Sequence, residues 1–160
     1  MSLTIRKIGS RDDLQLAIII KNTFDEFQLP KEGTVYADKT TDHLSNVFEE
    51  PGSVYLIAEE DGKVLGGCGI FPTSGLPNGC VELVKFYLSE HARGKGLGKL
   101  LLDETIKAAK SLKYTHMYLE SFPSLAAAIA IYNTYGFKKL DAPLGNSGHF
   151  ACNVWMLKEL

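Results

Sequence analysis

The chain has 160 residues, 45% of them hydrophobic and 22% charged, with a formal net charge of −2. These values describe one soluble globular domain over residues 1–160 and exclude a disordered, collagenous or low-complexity chain, while a pI near 6.1 leaves no footprint for nucleic acid. The apolar runs are far too short for a membrane span and the first six residues lack the layout of a signal peptide, so a cytoplasmic protein without a membrane partner is expected.

Residues 3–8 alternate as a short strand, and residues 11–27 read as a helix opened by Ser10 as N-cap. After the breaker segment 29–33, residues 41–49 form a short helix that stops at Pro51-Gly52. Residues 54–60 and 63–71 flank Asp61-Gly62, the clearest hairpin signal in the chain. The second of these strands carries Gly66, Gly67 and Gly69, which allow a bulge or a close backbone approach. A further strand covers residues 80–89.

Residues 100–112 are an amphipathic helix with Leu97, Leu101, Ala108 and Leu112 on its apolar face and Lys99, Asp103, Lys107 and Lys110 pointing away. Residues 115–121 read as a strand and 125–135 as an alanine-rich helix stopped by Gly136. The spans 137–140 and 153–157 are two final strands around the turn-rich segment 141–148. The order β-α-α-β-β-β-α-β-α-β-β predicts an α/β fold, a mixed central sheet of about seven strands with helices on both faces.

Cys68, Cys80 and Cys152 are too few for a disulfide framework and read as core residues of a protein from a reducing compartment. His149 and Cys152 would make only half of a metal site, and no metal is expected. Residues 1–60 hold 11 acidic and 6 basic side chains, residues 61–160 hold 8 and 11. A basic half for an anionic cofactor and an acidic half for a cationic substrate would give that division, as would ordinary surface solvation.

The most informative stretch is Arg93-Gly94-Lys95-Gly96-Leu97-Gly98, between a strand and a helix. Its alternate glycines let successive N–H groups converge on an anion at a helix N-terminus, and Arg93, Lys95 and Lys99 add formal charge for a pyrophosphate or ribose phosphate. A Walker A loop is excluded, because Arg93 stands at its first glycine and Leu100 follows Lys99 where a hydroxyl is needed. A dinucleotide fingerprint starting at Gly94 would need glycine or alanine where Lys99 stands. Taken alone, the loop could also be a turn that merely reverses the chain.

Arg93-x-x-Gly96-x-Gly98 after the fourth strand, with Ala130-Ile131-Tyr132-Asn133-Thr134-Tyr135-Gly136-Phe137 in the last third, resembles the GNAT-type acetyl-CoA-dependent N-acetyltransferases. The motifs cover roughly residues 53–140 and the element order covers the whole chain. The resemblance implies an acyltransferase with acetyl-CoA as cosubstrate, bound where the fourth and fifth strands splay apart. Its pantetheine arm would pair along Phe86, Tyr87 and Leu88, and its pyrophosphate would rest on the amides of Arg93, Gly94, Lys95, Gly96, Leu97, Gly98 and Lys99.

An amine attacks only when unprotonated, so the reaction asks for a base, either direct or through water. Glu82, on the fourth strand among apolar neighbours that would raise its pKa, is the candidate; a salt-bridged surface glutamate is the competing reading. The amide of Phe86 is expected to face the charge that develops on the acetyl oxygen, since the family frees such a backbone N–H by a bulge. Tyr132 stands where the family places its general acid, against the alternative of a tyrosine that simply packs on the sheet, and Tyr135 is expected to be a packing residue. Leu125 replaces an asparagine that many members aim at the pantetheine arm, with Ser121 or Ser124 as substitutes. Asn146 and His149 lie in a segment that often shapes the acceptor pocket, although a loop histidine is commonly a solvated surface group.

The expected function is transfer of acetyl from acetyl-CoA to a primary amine of a small molecule in a ternary complex. The alternatives are a protein or peptide N-acetyltransferase and a non-catalytic acyl-CoA-binding module. A homodimer through the terminal strands is allowed by the pattern but not required by it.

Overall fold

The computed structural model describes residues 3–160. Its elements are β1 (Leu3–Lys7), α1 (Asp13–Glu26), α2 (Leu44–Val47), β2 (Val54–Glu60), β3 (Lys63–Phe71), β4 (Cys80–Leu88), α3 (Leu97–Ser111), β5 (His116–Ser121), α4 (Ala126–Thr134), β6 (Lys138–Leu140) and β7 (Val154–Glu159). They build one seven-stranded sheet in the order β1-β2-β3-β4-β5-β7-β6, antiparallel except between β4 and β5. This is the mixed α/β sheet expected from the pattern.

Alternation along the strands builds two cores. Tyr55, Ile57 and Val64 face α1 and α2, where Leu16, Ile20, Phe24 and Leu44 close over them. Ala58, Cys68, Ile70, Val81 and Leu83 face the other way, onto α3 and Tyr132 of α4. A sheet covered on both faces has no solvent side, which is why β3 and β4 read as nearly continuous apolar runs.

Three local readings need correction. Ser10 does not cap α1: a 3-10 turn, Ser10–Asp12, comes first, and the carboxylate of Asp12 accepts the Gly9 amide at 2.8 Å while pairing with Arg6. The acid three residues on satisfies the amide that a preceding serine would have left open. The stretch expected as a helix over 41–49 is a 3-10 turn, Lys39–His43, followed by the single turn of α2. On α3 the buried face is Leu97, Leu101, Leu102, Thr105, Ile106 and Ala109. Leu112 lies past the last turn and is 43% exposed.

The hairpin at Asp61-Gly62 forms as expected, with left-handed backbone at both residues. The glycines of β3 serve the ring of Tyr55. A Cβ at Gly67 or Gly69 would collide with that ring, and Tyr55 is thereby able to lie flat across β3 and donate its hydroxyl to the carbonyl of Lys85 on β4.

Candidate active site

Strands β4 and β5 are joined by three parallel register pairs, Cys80 with His116, Val81 with Met117 and Glu82 with Tyr118, and then separate. From Leu83 onward the β5-facing edge of β4 has no strand beside it. The gap opens into a cavity of about 780 Å³, walled by the C-terminal part of α1, the start of α3, β4, β5 and α4.

On its other edge β4 carries a bulge. Gly67 pairs with Tyr87 and Gly69 with Val84, so Lys85 and Phe86 together stand opposite Cys68 alone. Lys85 takes the strain with φ of 53°, a left-handed conformation that costs a non-glycine residue about 1–2 kcal/mol.

Past the end of β4, Gly94 and Gly96 hold φ of 76° and 79°, with no heavy atom within 4 Å of where a Cβ would sit. Gly96 is the N-cap of α3, whose 15 residues give the loop a full helix terminus. Arg93, Gly94, Gly96, Gly98 and Lys99 line the cavity here, while Lys95 is exposed outside it. Leu97 turns its side chain into the core and can offer only its amide. Arg93 is already engaged: its Nη1 pairs with Glu26 at 2.6 Å, its Nη2 and Nε donate to the Leu88 carbonyl, and its guanidinium lies over the Phe27 ring.

Glu82 is only 3% exposed and sits at the point where the strands part. The Thr73 hydroxyl donates to its carboxylate at 2.6 Å. Loss of solvent pushes its carboxyl up to about 7; the Thr73 bond and Lys85 oppose the rise, and Glu120 adds to it. It is therefore neither a surface residue nor salt-bridged.

Tyr132 lines the same cavity, packed between Phe86 and Phe137 with ring centroids at 6.1 and 5.6 Å. Its hydroxyl makes no hydrogen bond among the described residues, and burial holds its pKa above that of a free phenol, so it stays protonated. Tyr135 packs its half-buried ring against the core, as expected, and its hydroxyl donates to Asp103 at 2.7 Å on the surface of α3. Phe86, Tyr87, Leu88, Ser121, Ser124 and Leu125 all line the cavity.

The segment 141–149 divides the two substrate candidates. His149 lines the cavity with its Nε2 3.6 Å from Asp38; burial and the neighbouring Lys85 lower its pKa, against Asp38. Asn146 does not reach it. Its amide donates to the Ser74 carbonyl and its side chain lies beside Gly75, tying this loop to the β3–β4 connection. Cys152 is half-buried and lines the cavity too, whereas Cys68 and Cys80 are buried. Among the described residues no three His, Cys, Asp or Glu side chains converge as metal ligands.

The sequence profile described as the acetyltransferase (GNAT) family matches residues 20–137. The chain belongs to the GNAT acetyltransferase family. An uncharacterized N-acetyltransferase of Escherichia coli K12, YjgM, is 36% identical over 99% of this chain and 96% of its own length. The crystal structure of a GNAT-family acetyltransferase from Staphylococcus aureus Mu50 superposes with a TM-score of 0.84 over 99% of both chains at 18% identity. A GNAT phosphinothricin acetyltransferase from Sinorhizobium meliloti, solved with acetyl-CoA, gives 0.75 at 23% identity, covering 100% of this chain and 89% of its own.

In and around its cavity this GNAT chain holds polar groups that the sequence did not bring forward. Glu120 accepts from Tyr118 at 2.7 Å and from Ser147 at 2.6 Å, and the Tyr118 hydroxyl accepts the Leu144 amide. Strand period alone puts Tyr118 and Glu120 on one face of β5, and that signal was available. Lys85 and Asp38 left none, since a lysine in a strand and an aspartate in a loop are ordinary surface residues by composition.

Proposed function

We propose that the protein transfers acetyl from acetyl-CoA to a primary amine of a small molecule by direct attack in a ternary complex. The observation that carries this reading is the single cleft that runs from the glycine loop before α3, along the unpaired edge of β4, to the buried carboxylate of Glu82. From Glu82 to Leu88 the strand runs about 20 Å. A cleft of that length, anionic-ligand loop at one end and base at the other, fits a long, slender donor with a phosphate terminus.

The residues fit the cosubstrate by their own geometry. Gly94 and Gly96 hold left-handed backbone beside open space without strain, and the α3 terminus supplies unpaired N–H groups. When bound, acetyl-CoA would supply an acyl group activated as a thioester. Phe86, Tyr87 and Leu88 offer the β4 edge to its pantetheine arm, with Ser121 or Ser124 in place of an asparagine at Leu125.

Glu82, with a carboxyl near 7, is half-ionised at neutral pH and suited to take a proton from an incoming ammonium. The bulge at Lys85 and Phe86 breaks the pairing of β4 at the site, which leaves the Phe86 amide as the donor for charge on the acyl oxygen. Tyr132, protonated and without a competing hydrogen bond, is the group for the departing sulfur. Retention of both a buried acid–base pair and the phosphate loop favours catalysis over a pure binding module.

The test is release of free thiol from acetyl-CoA across polyamines, aminoglycosides, amino acids and short peptides. Turnover with free small amines is expected. Binding of acetyl-CoA with no thiol release from any acceptor would identify a binding module, and turnover of peptides alone would identify the peptide enzyme.

A further inference from the structure

Most of the charged groups of the cavity are spoken for. Glu82 is held by Thr73, Glu120 by Tyr118 and Ser147, His149 by Asp38, and Arg93 by Glu26. Lys85 is not, and it is the half-buried cation in the middle of the cleft, whereas Lys99, the other unpaired cation of the lining, is exposed at the start of α3. The Lys85 side chain lines the same cavity, yet its ammonium has no hydrogen bond and no ion pair among the described residues. Asp38, Glu82 and His149 are near enough to interact with its charge but not to pair with it. Burial lowers its pKa against the pull of Asp38 and Glu82, so this cation is desolvated without a direct partner.

The backbone says the same. Lys85 sits in the left-handed region in the middle of β4, where glycine would make the bulge without strain. A side chain kept at a conformational cost is kept for what it contacts.

Resting on the acetyltransferase reading above, we propose that Lys85 receives a carboxylate of the acceptor, and that the acceptor is therefore an amino acid whose amine is presented to Glu82. The charges around the site favour a carboxylate over a phosphate. Asp38 and Glu82 stand near enough to Lys85 to act on its charge, so a second negative charge on the ligand would face two acids beside that cation. A zwitterion matches the arrangement, its ammonium toward the acids and its carboxylate on Lys85. A lysine, as a point charge, also leaves the rest of the acceptor free to vary.

The experiment compares kcat/KM, read as thiol release, for the twenty free amino acids, their amides and the corresponding decarboxylated amines. The wild type is expected to favour acids over amides by about 10- to 100-fold, the range of one charge-assisted contact. This preference runs against amine availability, because an adjacent amide lowers the ammonium pKa to about 8. Lys85→Met should bring the acid-to-amide ratio close to one, and Lys85→Arg should restore part of it. A rise in melting temperature with acetyl-CoA shows that each variant is folded; if Lys85→Met is not, the wild-type ratio decides.

Amides turned over as well as acids, or a ratio unchanged in Lys85→Met, would overturn the proposal while leaving acetyl transfer intact. So would an acetyl group found on Lys85 by mass spectrometry after incubation with acetyl-CoA, since the lysine would then be an acyl acceptor. Thiol release from none of the three series, with turnover of an aminoglycoside, polyamine or peptide, would overturn this inference alone, whereas release from no acceptor at all, with acetyl-CoA still bound, would sink the acetyltransferase reading and this inference with it.

Discussion

The hydroxyl of Tyr55, on β2, donates to the carbonyl of Lys85, two strands away, at 2.7 Å. The bond crosses β3 and pins the bulge that shapes the centre of the cavity. It exists because Gly67 and Gly69 leave the space under the ring. Tyr55→Phe keeps that packing and strands a buried carbonyl, so it should cost about 1–3 kcal/mol of stability. Denaturant unfolding checks this, and kcat should fall further than acetyl-CoA affinity. An unchanged kcat would show that the bulge holds itself.

The second prediction concerns Glu82 and has a sign in each of two measurements. Its folded pKa is about 7 against an ordinary value near 4.5. The fold therefore bears no penalty from it below about pH 4.5 and the full penalty above about 7, so this group makes stability fall as pH rises between those limits. Glu82→Gln keeps an acceptor for Thr73 and removes the charge. It should be more stable than wild type at pH 8, by at most about 3 kcal/mol, and equal to it at pH 4.

The same variant should lose the ascending limb of kcat/KM near pH 7. Turnover should drop about 10²- to 10⁴-fold at neutral pH and recover toward alkaline pH, where the amine deprotonates unaided. A constant ratio of mutant to wild type from pH 6 to 10 would make Glu82 a structural residue.

Tyr132→Phe and Tyr135→Phe remove the same atom from neighbouring turns of one helix. The Tyr132 hydroxyl faces the cavity without a partner, and its loss should lower the single-turnover rate about 10²- to 10⁴-fold with little change in acetyl-CoA affinity. The Tyr135 hydroxyl bonds to Asp103 on an exposed surface, and its loss should move stability by no more than about 1 kcal/mol. Wild-type single-turnover rates in Tyr132→Phe would end the general-acid assignment.

Acetyl-CoA should raise the melting temperature, by about 2.7 kcal/mol of stabilisation at a hundred times its dissociation constant. Gly98→Glu places a carboxylate at the glycine loop, against Phe86 and Leu88, and should abolish that rise. Equal shifts in the two proteins would remove the loop from phosphate binding.

The fold was legible because its signals are local. Asp61-Gly62 demands a hairpin, alternating apolar residues demand a two-faced sheet, and the glycines around Lys95 mark a loop that opens a helix. Glu82 was legible as a buried acid from the apolar run it stands in, and its raised pKa comes from its burial where β4 and β5 part. What could not be read depends on distant partners. Ser10 looks like a cap only until Arg6 and Glu59 fix Asp12 and its surroundings. Leu112 looks like core only until the helix ends before it. A bulge beside Phe86 was expected from the resemblance alone; Lys85 looks like a surface lysine, because the tyrosine that binds its carbonyl stands thirty residues earlier.

An unpaired strand edge is ordinarily a hazard, since any passing chain can add to it. In this protein the bare edge of β4 lies inside the sheet, between α1 and α4, with β5 closing one end of the gap. A second protein cannot bring a strand to it, because that strand would arrive with neighbours of its own. The recess therefore works as a size filter on backbone hydrogen bonding: a single narrow chain can enter and pair, and anything with the width of a sheet is kept out.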